Sequence, residues 1–580
     1  MPFRSVPPRS LARLLFAVVL ACCTVCTVSA QTRQLLNYAA IQKPEIGARG
    51  MVVSQNALAS QTGAGILRQG GNAVDAAVAT AFVLAVTLPR AGNIGGDGFM
   101  LVHLAEEERT VAIDYRSAAP AAATLDAYLD GNGELSGDQS AGYRSAGVPG
   151  TVAGLALAHE RYGRLPWATL LQPAIRLAEE GVVLSRDEAF ALDWGRERLA
   201  RSAAGAAVFL HQDGSALRAG ERLVQTDLAW SLRQIAEHGA DAFYRGAIAQ
   251  RLADGMRRHG GLLTLEDLAA YRAIAREPLV GRYRGVEVAT MPPASGGGPG
   301  IVSMLNLLET FDMRAAGARS ADALHRMAEA MKLSWRDRIR HAGDPGFVDV
   351  PLAGMTAKAY AAARAALIDP ARATPADEVD AGDPWAFEST ETTHLSVIDA
   401  DGNAVSNTYT IGADFGSGVM IEGTGFLLGN LIGNFSLGDQ AAERADGRVR
   451  SANTLAPGRR PISSMSPTML FRDGRLWMVT GSPGGNTIPG TVMQTIVDVV
   501  DFDLNIAEST HAPRIHQDMG SGELRIERGI SPDTLRILAA RGHQVVADET
   551  IGSTQTLLVG PDGVEGAADP RRPGATVAAE

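Results

Sequence analysis

Cysteine is almost missing from this chain: three residues in 580, at positions 22, 23 and 26. Beyond residue 26 there is none. That excludes disulfide frameworks, thiolate metal sites and cysteine nucleophiles from the rest of the molecule. Positive charge is outnumbered, with 53 Lys and Arg against 64 Asp and Glu, a net charge of −11 and an isoelectric point of about 5.6. No Lys/Arg-rich run occurs, so the basic face of a nucleic-acid binder is lacking. Long apolar runs are lacking too. The stretches 14–28 and 73–88 are too short to cross a bilayer comfortably, and no membrane span is expected. Several catalytic signatures are also absent. There is no Gly-x-x-x-x-Gly-Lys-Ser/Thr loop, no His-Glu-x-x-His among 11 histidines, and no Gly-x-Ser-x-Gly elbow. P-loop nucleotide enzymes, zinc proteases and α/β-hydrolases therefore have no anchor residues here. The run 295–300 is Gly-rich but lacks the lysine, and reads as a tight turn before a helix beginning at Ile301. No metal and no cofactor is expected.

What is present is a globular composition, 46% hydrophobic with 64 Gly, long enough for a large core. Arg4, Arg9 and Arg13 precede the apolar stretch 14–28, and Val28-Ser29-Ala30 fits the small-x-small cleavage rule. Residues 1–30 thus read as a secretory signal with Gln31 as the first mature residue, and Val19-Leu20-Ala21-Cys22 as a weaker lipoprotein variant. The expected location is exported, periplasmic or extracellular. Further on, Asn72-Ala73-Val74-Asp75 opens a buried helix reaching Leu88. Residues 150–275 and 318–341 are helix-rich. From about residue 390 the texture turns to strands, with hairpin signals at Asp401-Gly402 and Asp473-Gly474. Residues 436–459 are the most loop-like stretch.

The informative segment is 391–410, Glu-Thr-Thr-His-Leu-Ser-Val-Ile-Asp-Ala-Asp-Gly-Asn-Ala-Val-Ser-Asn-Thr-Tyr-Thr. As a hairpin folded around Asp401-Gly402, it pairs residue 400 with 403 and sets Thr410 opposite Thr393, beside Thr392. A one-residue slip would change the face Thr410 uses. Thr-Thr-His-x-Ser followed by Asp-Gly-Asn-Ala-Val and Thr-Tyr-Thr closely resembles the γ-glutamyltransferase (glutathione hydrolase) family. Other matching stretches, in the family's order, include 71–77, 91–96, 114–116, 148–154, 460–468, 481–485, 552–555 and 569–571.

This resemblance implies an α+β fold, the four-layer αββα sandwich of the N-terminal nucleophile hydrolases, with no cofactor. It also implies an inactive precursor that cuts itself between Glu391 and Thr392. Residues 31–391 become the large subunit and 392–580 the small one, both within one sandwich. Thr392 is then the nucleophile. A threonine hydroxyl is weak until a base takes its proton, and a freed α-amine, with a pKa of roughly 7.7–8.0, supplies that base on the same residue. Thr410 corresponds to the threonine that hydrogen-bonds the nucleophile, and Gly484 and Gly485 to the oxyanion-hole pair. Arg116 corresponds to the residue gripping the donor's α-carboxylate, helped by Ser463 and Ser464. His394 is expected to be a structural strand residue, since the α-amine already serves as base. The implied partners are a small γ-glutamyl or glutaryl amide donor, a water or amino-acid or peptide acceptor, and the two subunits of one precursor.

The sequence departs from the family where the donor's α-ammonium is held. Asn434, Gly412 and Leu431 stand at the positions of the usual Asp, Asn and Gln/Glu. The formal negative charge is lost, which in general costs about 1.5–3 kcal/mol of binding. The family's four-glycine run reads Gly95-Gly96-Asp97-Gly98 here, and Asp97 is expected to satisfy local N–H groups. A γ-glutamyl hydrolase or transferase is the main expectation. A glutaryl-type acylase is the alternative, and a binding protein without catalysis is a third, opposed by intact Thr392, Thr410, Gly484 and Gly485.

Overall fold

The computed structural model describes residues 40–382 and 393–580. The expected signal segment 1–30 and the expected cleavage residues Glu391 and Thr392 lie outside the described residues. The fold below is that of Gln42–Glu580.

Among the described residues, two seven-stranded antiparallel sheets lie face to face. The first runs in the order Thr576–Ala579, Met51–Ser54, Thr393–Ile398, Ala404–Thr410, Asp97–Leu104, Arg109–Tyr115, Ile274–Arg276. The second runs Glu45–Gly47, Gly563–Ala568, Gln555–Gly560, Arg475–Thr480, Thr468–Arg472, Val286–Thr290, Leu279–Tyr283. Alternate residues explain the layering. Phe99 and Leu101 point into a core shared by the sheets with Met469, Val479 and Leu557. Met100 and Val102 point the other way, into a larger core with the helices Ala57–Arg68, Ala73–Thr87 and Trp167–Glu180. The second sheet is covered in turn by Gly297–Glu309, Ala321–His341 and Ile488–Val500. Because both faces of each sheet are buried, the central strands carry little polar–apolar alternation: Thr393–Ile398 and Ala404–Thr410 are buried throughout. The four layers are those of the αββα sandwich.

Each sheet takes strands from both sides of position 392, so the two segments 40–382 and 393–580 interleave within one body. Helix Ala73–Thr87 is buried along its whole length and is fixed at its start by a capping box, in which Asn72 accepts from the Asp75 N–H at 3.0 Å and Asp75 accepts from the Asn72 N–H at 3.0 Å. No helix among the described residues is long and apolar enough to cross a membrane.

Three local expectations change. The hairpin pairs Thr393 with Tyr409 and Ile398 with Ala404, one residue away from the expected register. The cause is the turn. Asp399 Oδ1 accepts from the N–H groups of Asp401 and Asn403 at 3.0 and 2.9 Å, and Gly402 takes φ +85°, giving a longer loop than a two-residue turn. Asp473-Gly474 does make the tight turn, with both residues at positive φ between Arg472 and its partner Arg475. The helix expected at Ile301 begins at Gly297, because the glycines let its first turn pack onto backbone: a Cβ at Gly298 would stand 2.0 Å from Met291 O. The loop-like stretch 436–459 contains helix Leu437–Asp446, closed by Gly447 in the left-handed conformation.

Candidate active site

The hairpin carries one side of the site. Thr410 ends its strand directly across from Asp97 on the neighbouring strand, and Thr410 Oγ1 accepts from the Gly412 N–H at 2.8 Å. The strands approach so closely that a Cβ on Gly96 would lie 1.9 Å from Thr410 O. Thr393, one peptide bond after Thr392, donates its hydroxyl to Gln55 Oε1 at 2.7 Å.

The next residue links this hairpin to the second sheet. The His394 ring holds Thr408 Oγ1 at 2.9 Å and Ser396 Oγ at 3.0 Å, and the loop after strand Arg475–Thr480 lies directly on it. A Cβ on Gly481 would stand 2.4 Å from the ring, so the loop needs glycine there. Burial drives the His394 pKa down to about 3, and a neutral imidazole with both nitrogens engaged has no part as a base. The loop continues to Gly484 and Gly485, at φ +128° and +57°. Both conformations suit glycine, which also lets a ligand approach the backbone closely. Ser482 Oγ accepts from the Ser553 N–H at 2.9 Å, tying this loop to the 552–555 segment.

The serines are set by the helix of the second layer. Gly296 donates its N–H to Ser463 O at 2.7 Å, and a Cβ on Gly297 would stand 2.2 Å from Ser464 O. Ser463 Oγ accepts from the Met465 N–H at 3.1 Å. Ser464 Oγ accepts from Arg338 at 2.5 Å and lies 3.5 Å from Asn486 Oδ1, beside Gly485.

Arg116 closes the ring, but not as an open cation. Its Nη1 donates to both oxygens of Asp97 at 2.7 Å. Its Nη2 donates to Asn434 Oδ1 at 2.8 Å and Ile462 O at 3.1 Å, and its Nε to Pro461 O at 2.9 Å. Those five bonds match the five N–H donors of a guanidinium. Arg116 and Asp97 are both fully buried. Asp97 also accepts from the Ser117 N–H at 2.8 Å. Burial pushes the Asp97 carboxyl up from the usual range, while Arg116 and Ser117 pull it back. Asp114, in the strand Arg109–Tyr115 that leads into Arg116, holds Arg460 at 2.6 Å, Arg276 at 2.9 Å and the Arg116 N–H at 3.0 Å, which fixes the backbone that presents Arg116.

Gly412 sits at φ +91°, where a Cβ would meet Asn430 Oδ1 at 2.1 Å and Leu431 Cδ2 at 3.5 Å. Leu431 is buried. Direct contacts link these positions pairwise: Thr410 faces Asp97 across the strands, Asp97 holds Arg116, Arg116 reaches Asn434 and the carbonyl of Ile462 beside Ser463, Gly412 lies against Leu431, and Ser464 approaches Asn486 beside Gly485. The sequence reading missed Asp97 as the partner of Arg116 and Arg338 as the partner of Ser464. The interruption of a glycine run by one carboxylate was the available signal for the first. Nothing local in sequence signals the second, whose partners are 126 positions apart.

The family model for gamma-glutamyltranspeptidase matches residues 59–579. The glutathione hydrolase proenzyme of Escherichia coli K12 is 48% identical over 529 residues, covering 90% of both chains. The acylase ACY 1 proenzyme of Pseudomonas sp. strain SE83 is 40% identical over 551 residues, covering 93% of this chain and 95% of its own. Among solved structures, the cephalosporin acylase from Bacillus halodurans superposes with a TM-score of 0.84 at 31% identity, covering 94% of this chain and 98% of the other.

Proposed function

This chain belongs to the γ-glutamyltranspeptidase family, and on that premise we propose that it is an exported, self-processing N-terminal threonine amidase that hydrolyses or transfers γ-glutamyl groups. Processing begins when Thr392 Oγ attacks the carbonyl of Glu391. The acyl group shifts from nitrogen to oxygen, and water hydrolyses the ester. Glu391 leaves with a carboxylate and Thr392 with a free α-amine. The products are residues 31–391 and 392–580, after loss of the signal at residue 30.

In turnover the α-amine of Thr392 takes the proton of its own hydroxyl, and Oγ attacks the donor's γ-carbonyl. The N–H groups of Gly484 and Gly485 receive the developing oxyanion. The α-ammonium returns its proton to the departing amine, which leaves the γ-glutamyl ester on Thr392. Water or an amino acceptor then attacks that ester. Thr410 orients the nucleophile, and Ser463 and Ser464 face the donor's carboxylate end. The observation that supports this reading is that Thr410 ends the strand paired with the Thr393 strand, while the positive-φ glycine pair lies next to Asn486, which Ser464 approaches.

The glutaryl alternative draws support from Asn434, Gly412 and Leu431, none of which offers an anion to a donor ammonium. Steady-state kcat/KM for γ-glutamyl- and glutaryl-p-nitroanilide tests both. Turnover of the γ-glutamyl anilide is expected, with modest discrimination against the glutaryl one. A preference for γ-glutamyl above about a thousandfold, some 4 kcal/mol, removes the alternative. Thr392→Ala is expected to leave one uncut, inactive chain on a denaturing gel. Cleavage of that variant at the same bond overturns the autocatalytic scheme.

A further inference from the structure

Asp97 stands where every neighbour is forced to be glycine. A Cβ at Gly95 would lie 2.3 Å from Leu427 O, at Gly96 1.9 Å from Thr410 O, and at Gly98 2.5 Å from Tyr409 Cβ. In the middle of this side-chain-free run, one carboxylate reaches the guanidinium of Arg116. It takes Nη1 with both oxygens, while Asn434 and two carbonyls take the rest. An incoming carboxylate finds no guanidinium N–H uncommitted, and no part of Arg116 or Asp97 is exposed to it. To bind Arg116 it must displace a buried, doubly bonded anion.

We propose that Asp97 is a specificity-determining residue, an internal competitor that occupies Arg116 in place of a donor carboxylate and so opens the site to acyl amides whose chain end is uncharged. This rests on the amidase reading above and adds to it. Carboxylate-ended donors still react, but their binding is weakened by the displacement. Apolar or neutral chain ends avoid that competition. The chemistry is electrostatic. A buried guanidinium stripped of its carboxylate binds another anion, whereas one already neutralised gains little from it.

The test compares processed wild type, Asp97→Gly and Asp97→Asn on γ-glutamyl-, glutaryl- and pentanoyl-p-nitroanilide. The wild type is expected to discriminate against the pentanoyl donor by less than about tenfold. Asp97→Gly should raise kcat/KM for both carboxylate-ended donors by about ten- to a hundredfold, the scale of one charge-assisted bond, mainly by lowering KM. The pentanoyl value should stay within about twofold. If the glycine variant does not fold, Asp97→Asn, which keeps the shape and removes the charge, is expected to give a smaller gain of the same kind. Glutarate should raise the melting temperature of the variants and leave that of the wild type unchanged. A uniform change on all three donors, or a loss confined to the γ-glutamyl donor, overturns the proposal; the second outcome makes Asp97 the partner of the donor's ammonium instead. If no protein, wild type included, cleaves itself or any anilide, it is the amidase reading that fails, and the glutarate shift still decides the role of Asp97.

Discussion

At the residue scale, the site works through backbone as much as through side chains. Gly484 at φ +128° cannot carry a Cβ without meeting Thr487 Oγ1 at 2.4 Å. Gly484→Ala is therefore expected to turn the N–H away from the oxyanion and lower kcat by about a hundred- to a thousandfold, with the fold retained by circular dichroism. Thr410 tests a side chain. Its hydroxyl already accepts from Gly412, so Thr410→Ser should stay near wild type, while Thr410→Val should lose about tenfold or more in kcat and leave Gly412 without its acceptor. Equal activity of the two variants removes Thr410 from the mechanism. The same scale shows what the sequence could not say about Asn434. Read alone, its loss of charge suggests that Asn434→Asp restores recognition of a γ-glutamyl ammonium. In the fold, Asn434 shares Arg116 with Asp97, so that substitution alone sets two carboxylates on one guanidinium. The gain is expected only in the Asp97→Gly, Asn434→Asp double variant, read as the ratio of γ-glutamyl to glutaryl kcat/KM.

At the element scale, what was legible followed a clear rule. Segments whose signal is local came through. The capped helix Ala73–Thr87 lies within a residue of its expected ends, and the Asp473-Gly474 turn is where its dipeptide put it. Segments decided by side-chain contacts at the turn or by packing did not. The 393–410 register slipped by one because Asp399 captures two N–H groups of its own loop, an arrangement that an Asp-Gly dipeptide does not announce. Helix Gly297–Glu309 starts four residues early because its glycines pack against Ser464 O and Met291 O, contacts made across 167 positions in the first case and seven in the second. The candidate site was legible as motifs, but its wiring was not. The link from His394 to Gly481 exists only once the two sheets are stacked, and that from Ser464 to Asn486 only once the strands Thr468–Arg472 and Arg475–Thr480 pair.

At the scale of the whole molecule, buried histidines and buried acids oppose each other as pH falls. Burial lowers His394 and His543 to about 3 and His516 to about 4, so each stays neutral in the fold and takes a proton in the unfolded chain below about 6.5. Their contribution to stability is lost progressively as pH falls through that window. Burial raises Glu188 to about 7 and Asp337 to about 6, so these two take their protons in the fold and offset part of the histidine effect between about pH 6 and 4.5. With His341 also lowered, to about 2, the histidines outnumber the two acids, so the unfolded chain carries the excess of protons and stability falls on acidification from pH 6 to pH 5. Urea unfolding at pH 6 and pH 5 checks this; a midpoint that rises on acidification contradicts it. The interleaved sheets carry a different consequence. Each sheet mixes strands from both sides of position 392, so neither product of the proposed processing owns a complete set of partners. Folding is a unimolecular reaction only while the chain is whole. Once the bond before Thr392 is cut, regaining the native state is a second-order encounter of two incomplete pieces. Refolding yield of the mature protein should therefore rise with protein concentration, while that of uncut Thr392→Ala should not. Maturation, on this view, makes assembly historical: the active molecule remembers a covalent continuity it no longer has, and unfolding erases that memory.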